Sequence, residues 1–131
     1  MTGYEVLEIG SPDEWLAQGK RFADKEMDTQ YIGVSANALE PGGEAPLWHT
    51  HSRLEELYFF LAGRGQMALD DDVIDVGPGS VVRVGQGVWR TLRATPESPG
   101  ELRWLCIRSG GGELKEVSGD SERDAERPRP W

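Results

Sequence analysis

The only two histidines of the chain, His49 and His51, stand two residues apart in the run Trp48-His49-Thr50-His51. On an extended strand, residues i and i+2 project from the same face. Two imidazoles placed this way reach one metal ion, and a carboxylate follows nearby at Glu55 or Glu56. Two histidines and one carboxylate form a facial ligand set suited to Fe(II), Mn, Ni or Zn, with coordination positions left open. Strand parity separates the two glutamates. Glu56 shares a face with Tyr58 and Phe60, which line the same interior, whereas Glu55 faces solvent.

The elements that must carry these residues are short. Glycine (17) and proline (8) punctuate the chain along its length. One stretch, Ser11–Glu26, reads as helical, with Pro12 at the first helical position and Asp13 and Glu14 at the positive end of the dipole. Gly19 limits that helix to a turn or two. From Thr29 onward short strands follow one another: Gln30–Leu39, Leu57–Ala62, Gln66–Leu69, Val73–Val76, Ser80–Val84, Trp89–Ala94 and Glu101–Arg108. The pattern predicts an all-β domain, a sandwich or barrel over residues 29–108. An N-terminal arm (1–28) precedes it and a polar C-terminal tail (109–131) follows. The tail is expected to dock through Leu114, Val117 and Trp131. Leu57, Phe59 and Leu61 are apolar on the face opposite Glu56, which predicts a partner subunit there and hence a homodimer.

The spacing around the histidines is more specific than the pair alone. Gly43, His49, His51, Glu56 and Gly63 fall in G-x5-H-x-H-x4-E-x6-G, written here GEAPLWHTHSRLEELYFFLAG. This resembles the first conserved motif of the cupin superfamily. The second cupin motif, G-x5-P-x-G-x2-H-x3-N, is matched in part by Gly77–Ala94 (GPGSVVRVGQGVWRTLRA). Gly87 fits, Gly85 replaces the proline, Arg90 stands at the metal-binding histidine and Ala94 at the asparagine. The resemblance implies a jelly-roll barrel, similar to the small sugar-phosphate-isomerase-like cupins. It also implies a divalent metal at His49, His51 and Glu56, without the fourth ligand.

Arg90 then has two possible roles. Arginine stays protonated and ligates no cation. Beside a bound metal, it adds positive charge and orients a small anionic ligand, a carboxylate or phosphate, with help from Tyr58 and Phe60. A divalent ion, Glu56 and Arg90 together leave two positive charges for such an anion to balance. Without metal, Arg90 pairs with Glu56, and the barrel is a metal-free binding module. In the first case the metal acts as Lewis acid and template, and isomerisation and dioxygenation both fit. Arg64, Arg83, Arg93, Arg103 and Arg108 read as a solvated face, and Cys106 as a buried strand residue with neither histidine near.

Composition narrows the partners. The net charge of −9 argues against nucleic acid and against an anionic membrane surface, both of which need clustered Lys and Arg. No stretch approaches the roughly 18 apolar residues of a membrane span. Residues 1–10 have neither a basic start nor an apolar run, and a single cysteine excludes a disulfide framework. A cytoplasmic location is the resulting expectation.

Overall fold

The computed structural model describes residues 3–131. Its strands, numbered in chain order, form two five-stranded sheets whose paired strands are all antiparallel. The first sheet has the spatial order β1 (Arg21–Phe22), β2 (Ile32–Leu39), β9 (Leu102–Ser109), β4 (Glu55–Ala62) and β7 (Val81–Val84). The second has the order β10 (Ser121–Asp124), β3 (Trp48–His51), β8 (Arg90–Ala94), β5 (Gly65–Leu69) and β6 (Asp72–Val76). This is the expected all-β jelly roll, with helix confined to short turns.

Period-two alternation decides which side chains meet between the sheets. Along β4, Glu56, Tyr58 and Phe60 are buried while Glu55, Leu57, Phe59 and Leu61 are exposed. β9 alternates likewise, burying Leu102, Trp104, Cys106 and Arg108. The core joins Phe60, Met67, Val84, Leu92, Leu102 and Trp104. Burial of a side chain such as Phe60 contributes about 1.5–3 kcal/mol. Tyr58 and Glu56 continue the same inward row toward one end of the sandwich, where the apolar filling stops and polar groups take over.

The short helix expected within Ser11–Glu26, limited by Gly19, is present. It consists of a 3-10 turn (Pro12–Glu14) continuing into α1 (Trp15–Gln18), and it ends at Gly19. The chain then extends, so that β1 pairs with β2 and a second 3-10 turn occupies Ala23–Lys25. The polar tail is more ordered than its composition suggests. Leu114 and Val117, in α2 (Leu114–Val117), pack on Leu54 in a small separate cluster. Beyond α2, β10 adds an edge strand beside β3, with Ser121 opposite His51 and Arg123 opposite His49. Trp131 docks as expected: its ring nitrogen donates to Glu44 at 2.9 Å, and the Arg93 guanidinium lies over its ring. Arm and tail are therefore not appendages, since each contributes a strand to a sheet. No helix among the described residues is long and apolar enough to cross a membrane.

Candidate metal centre

The two histidines and the glutamate come from opposite sheets. β3 carries His49 and His51, and β4 carries Glu56. The strand parity read from the sequence points all three inward, and their ligating atoms lie within 4.8 Å of one another. His49 Nε2 is 3.5 Å from Glu56 Oε1, and His51 Nε2 is 3.4 Å from Glu56 Oε2. These separations are too long for good N–H···O hydrogen bonds, which cluster near ~2.9–3.0 Å. They match donors arranged around a shared ion, because ligands ~2.1 Å from a tetrahedral centre sit ~3.4 Å apart. The cluster is thus compatible with a divalent metal. Gly87 helps hold the β3 end of the site: its left-handed backbone, φ +82°, lets its N–H donate to the His51 carbonyl at 2.8 Å.

Glu56 is the hub of the local hydrogen bonding. Tyr58 Oη donates to Oε1 at 2.8 Å, and the Cys106 thiol donates to Oε2 at 3.3 Å. Arg90 Nη2 lies 3.0 Å from Oε1. Burial works against the charge of Glu56, yet His49, His51 and the Arg90 guanidinium hold its carboxyl well below the usual range. Burial lowers the His49 pKa; Glu56 opposes that shift and Arg90 reinforces it. Burial also works against a charged His51, but the carboxylates of Glu56 and Asp120 on either side of its ring leave its pKa raised. Tyr58 and Cys106 are both pushed up, chiefly by burial and further by the charge of Glu56, so both keep their protons.

A cavity of about 360 Å³ opens over the cluster, lined by His49, His51, Glu56, Tyr58, Trp104 and Cys106 among others. Two expectations require correction here. Arg90 turns inward and stands opposite His49 across β3 and β8, but it is completely buried and is not on the cavity wall. One guanidinium nitrogen, Nη1, donates to the Val88 carbonyl, and Nη2 faces Glu56. Its place is behind the glutamate, away from the cavity surface. Phe60 is likewise fully buried and off the wall, whereas Tyr58 lies on it.

The cations that do reach the cavity are others. Lys20, Lys25, Arg108 and Arg123 line it. Lys20 and Lys25 sit 4.9 and 4.2 Å from the Phe22 ring centroid. Arg108, expected on a solvated face, is buried with its guanidinium 2.6 Å from Asp24. Its inward direction follows from the register, which sets Arg108 opposite Glu56. Cys106, read as remote from the site, shares the wall because it stands opposite Tyr58 in the same pairing.

Asp120 is the residue that sequence reasoning missed. Its Oδ1 is 2.7 Å from His51 Nδ1, and its Oδ2 accepts the backbone N–H groups of Arg53 and Leu54 at 2.7 and 2.9 Å. Burial opposes its charge, but those two N–H groups and the His51 ring hold its pKa below the usual range. The pair Leu114 and Val117 signals that this segment docks; nothing in its spacing marks Asp120.

Comparison with known proteins agrees with this fold. The cupin domain family model matches residues 38–108. An uncharacterized protein of Methanocaldococcus jannaschii is 39% identical over 57 residues, 41% of this chain and 46% of that protein. The chain thus matches about half the length of that curated relative. Among solved structures, a cupin protein from Bacteroides fragilis is 25% identical with a TM-score of 0.74, over 86% of this chain and 88% of that one. A cupin 2 domain-containing protein from Halorhodospira halophila has a TM-score of 0.61 at 19% identity, over 77% and 75% of the two chains. Oxalate decarboxylase from Bacillus subtilis shares the fold at 17% identity and a TM-score of 0.64, over 79% of this chain but 27% of its own.

Proposed function

Because the chain belongs to the cupin family, we propose that it holds a divalent metal through His49, His51 and Glu56 and admits a small anionic molecule to the cavity above them. The observation that carries this reading is the approach of three ligating atoms from two opposing sheets to within 4.8 Å at the floor of an open cavity. A metal bound there supplies Lewis-acid polarisation of a carbonyl or a site for O2, the chemistries of isomerases and dioxygenases. The protein's own residues set the electrostatics. Glu56 and Asp120 each bring one negative charge and Arg90 one positive charge, so a divalent ion leaves the centre with a single net positive charge. Lys20, Lys25 and Arg123 add cations at the cavity wall of a chain whose net charge is −9. A carboxylate or phosphate is the ligand such a wall attracts. Tyr58 is on the wall, but its one hydroxyl proton is committed to Glu56 at 2.8 Å, so it shapes the cavity rather than donating to the anion.

The exposed outer row Leu57, Phe59 and Leu61, extended by Val81, supports association of two copies through the first sheet. A second reading of the cavity is a metal-free binding module, and one observation favours it: Arg90 already lies 3.0 Å from Glu56 and balances its charge.

Metal analysis of untagged protein separates the two readings. About one divalent ion per chain, lost in His51→Ala, supports the metal centre; no metal after loading with Zn, Mn, Ni or Fe(II) overturns it. Thermal shifts with carboxylic acids and sugar phosphates then test the anion, since a ligand selective for the folded state raises its stability. Stabilisation that vanishes in Lys20→Ala/Lys25→Ala is the expected outcome.

A further inference from the structure

The C-terminal segment reaches the candidate centre through one side chain, and its construction is specific. Leu114 and Val117 fix α2 against Leu54, and the Asp120 N–H returns to the Val117 carbonyl at 3.1 Å. Ser121 then pairs with His51 across β10 and β3. The turn between these two anchors leaves Asp120 almost fully buried against the His51 ring. One carboxylate oxygen is taken up by the N–H groups of Arg53 and Leu54, so the other is committed to His51 Nδ1 at 2.7 Å.

An ionised carboxylate only accepts hydrogen bonds, so the proton of this contact belongs to Nδ1. In the neutral imidazole the lone pair is then on Nε2, the atom that faces Glu56 at 3.4 Å. We propose that Asp120 is a positioning residue: it fixes His51 in the Nδ1–H tautomer and aims the Nε2 lone pair at the metal site. Residues after 113 thereby complete a centre whose ligands all lie on β3 and β4. Carboxylates that orient a ligating histidine in this way raise its basicity and hold its ring. The proposal rests on the metal reading above only for its consequence; the tautomer itself belongs to the protein without metal.

Two measurements test it. The first is the nitrogen NMR spectrum of the His51 imidazole in metal-free wild-type protein, recorded above the pH range in which the ring titrates. An Nδ1–H tautomer is expected; an Nε2–H tautomer overturns the proposal without any variant. The second uses Asp120→Asn. The amide oxygen still accepts from Arg53 and Leu54, but the amide nitrogen presents a donor to Nδ1 and drives the proton to Nε2. The expected result is an inverted tautomer and a roughly 10- to 100-fold loss of Zn2+ affinity, read by chelator competition. A purely structural role predicts an unchanged tautomer, and an Asn variant that keeps both tautomer and affinity overturns the proposal. Wild-type protein that takes up no Zn2+ refutes the metal reading, while the NMR result still decides the role of Asp120.

Discussion

Arg90→Met tests the electrostatic logic of the site most directly. The guanidinium is fully buried, lies 3.0 Å from a glutamate that is itself buried, and its Nε and Nη2 have no hydrogen-bond partner of good geometry among the described residues. Its return for this desolvation is the charge of Glu56. Removing one partner of a buried ion pair costs about 3–5 kcal/mol, because the other charge is left uncompensated. With an unfolding entropy of about 2.1 cal/mol/K per residue, 131 residues convert a loss of about 4 kcal/mol into a fall of about 15 °C in Tm. The loss is expected in chelator, by urea denaturation and calorimetry together. The double variant Arg90→Met/Glu56→Gln removes both charges and is expected to recover most of it. A divalent ion offers Glu56 a replacement cation, so metal should stabilise Arg90→Met more than it stabilises wild type. At one hundred times Kd the gain from binding alone is about 2.7 kcal/mol. An Arg90→Met protein within about 1 kcal/mol of wild type in chelator, with no added benefit from metal, refutes the assignment of Arg90 as the counter-charge of Glu56.

Three further outcomes follow from the same structure. Zn2+ affinity should fall as pH is lowered through the imidazole range, because the metal competes with protons. His51, whose pKa is raised, should protonate before His49, whose pKa is lowered; chelator competition at stepped pH checks this, and a flat affinity contradicts it. Gly63→Ala should lose about 2 kcal/mol or more, because φ is +81° and an added methyl would collide with the Glu101 carbonyl and lie 2.7 Å from Leu102 Cα; denaturant midpoints measure this. Phe59→Lys should convert a dimer to a monomer in sedimentation velocity without lowering Tm much, since Phe59 is already 40% exposed in the isolated chain. A monomeric wild type would refute the homodimer.

Most of the inward geometry was legible before the structure because it follows from parity. On β4, one rule puts Glu56, Tyr58 and Phe60 inside and Glu55 outside. What parity does not supply is depth along the strand or the register of the neighbour. Phe60 and Tyr58 share a face, yet one fills the core and the other reaches the cavity. Arg90 points inward as its position in the motif required, but Glu56 draws its guanidinium behind the cluster rather than into the cavity. Cys106 and Arg108 join the site only through the pairing of β4 with β9, which links residues about fifty apart. Such long-range register left no trace in local spacing. The short N-terminal helix was legible for a local reason: it ends at Gly19, after which Arg21 and Phe22 pair with β2.

The origin of each wall residue separates what relatives can tell from what they cannot. The three candidate metal ligands, Arg90, Tyr58 and Cys106 all fall within residues 38–108, the part matched by the family. The groups that would select a ligand largely do not. Lys20, Phe22 and Lys25 come from the N-terminal arm, Ser35 and Asn37 from β2, and Ser118, Ser121 and Arg123 from the C-terminal segment. Asp120, which orients His51, also lies outside the matched part. On the proposed reading, the metal ligands belong to the shared barrel, whereas the groups that would meet a substrate come largely from two chain ends that the shared motif does not describe. Exchanging the arm 19–25 with that of another cupin should leave Zn2+ affinity within about threefold, below the 10-fold loss typical of a disturbed outer shell, while changing which anions shift Tm. If the exchange abolishes metal binding and leaves the anion profile intact, this division of labour is wrong.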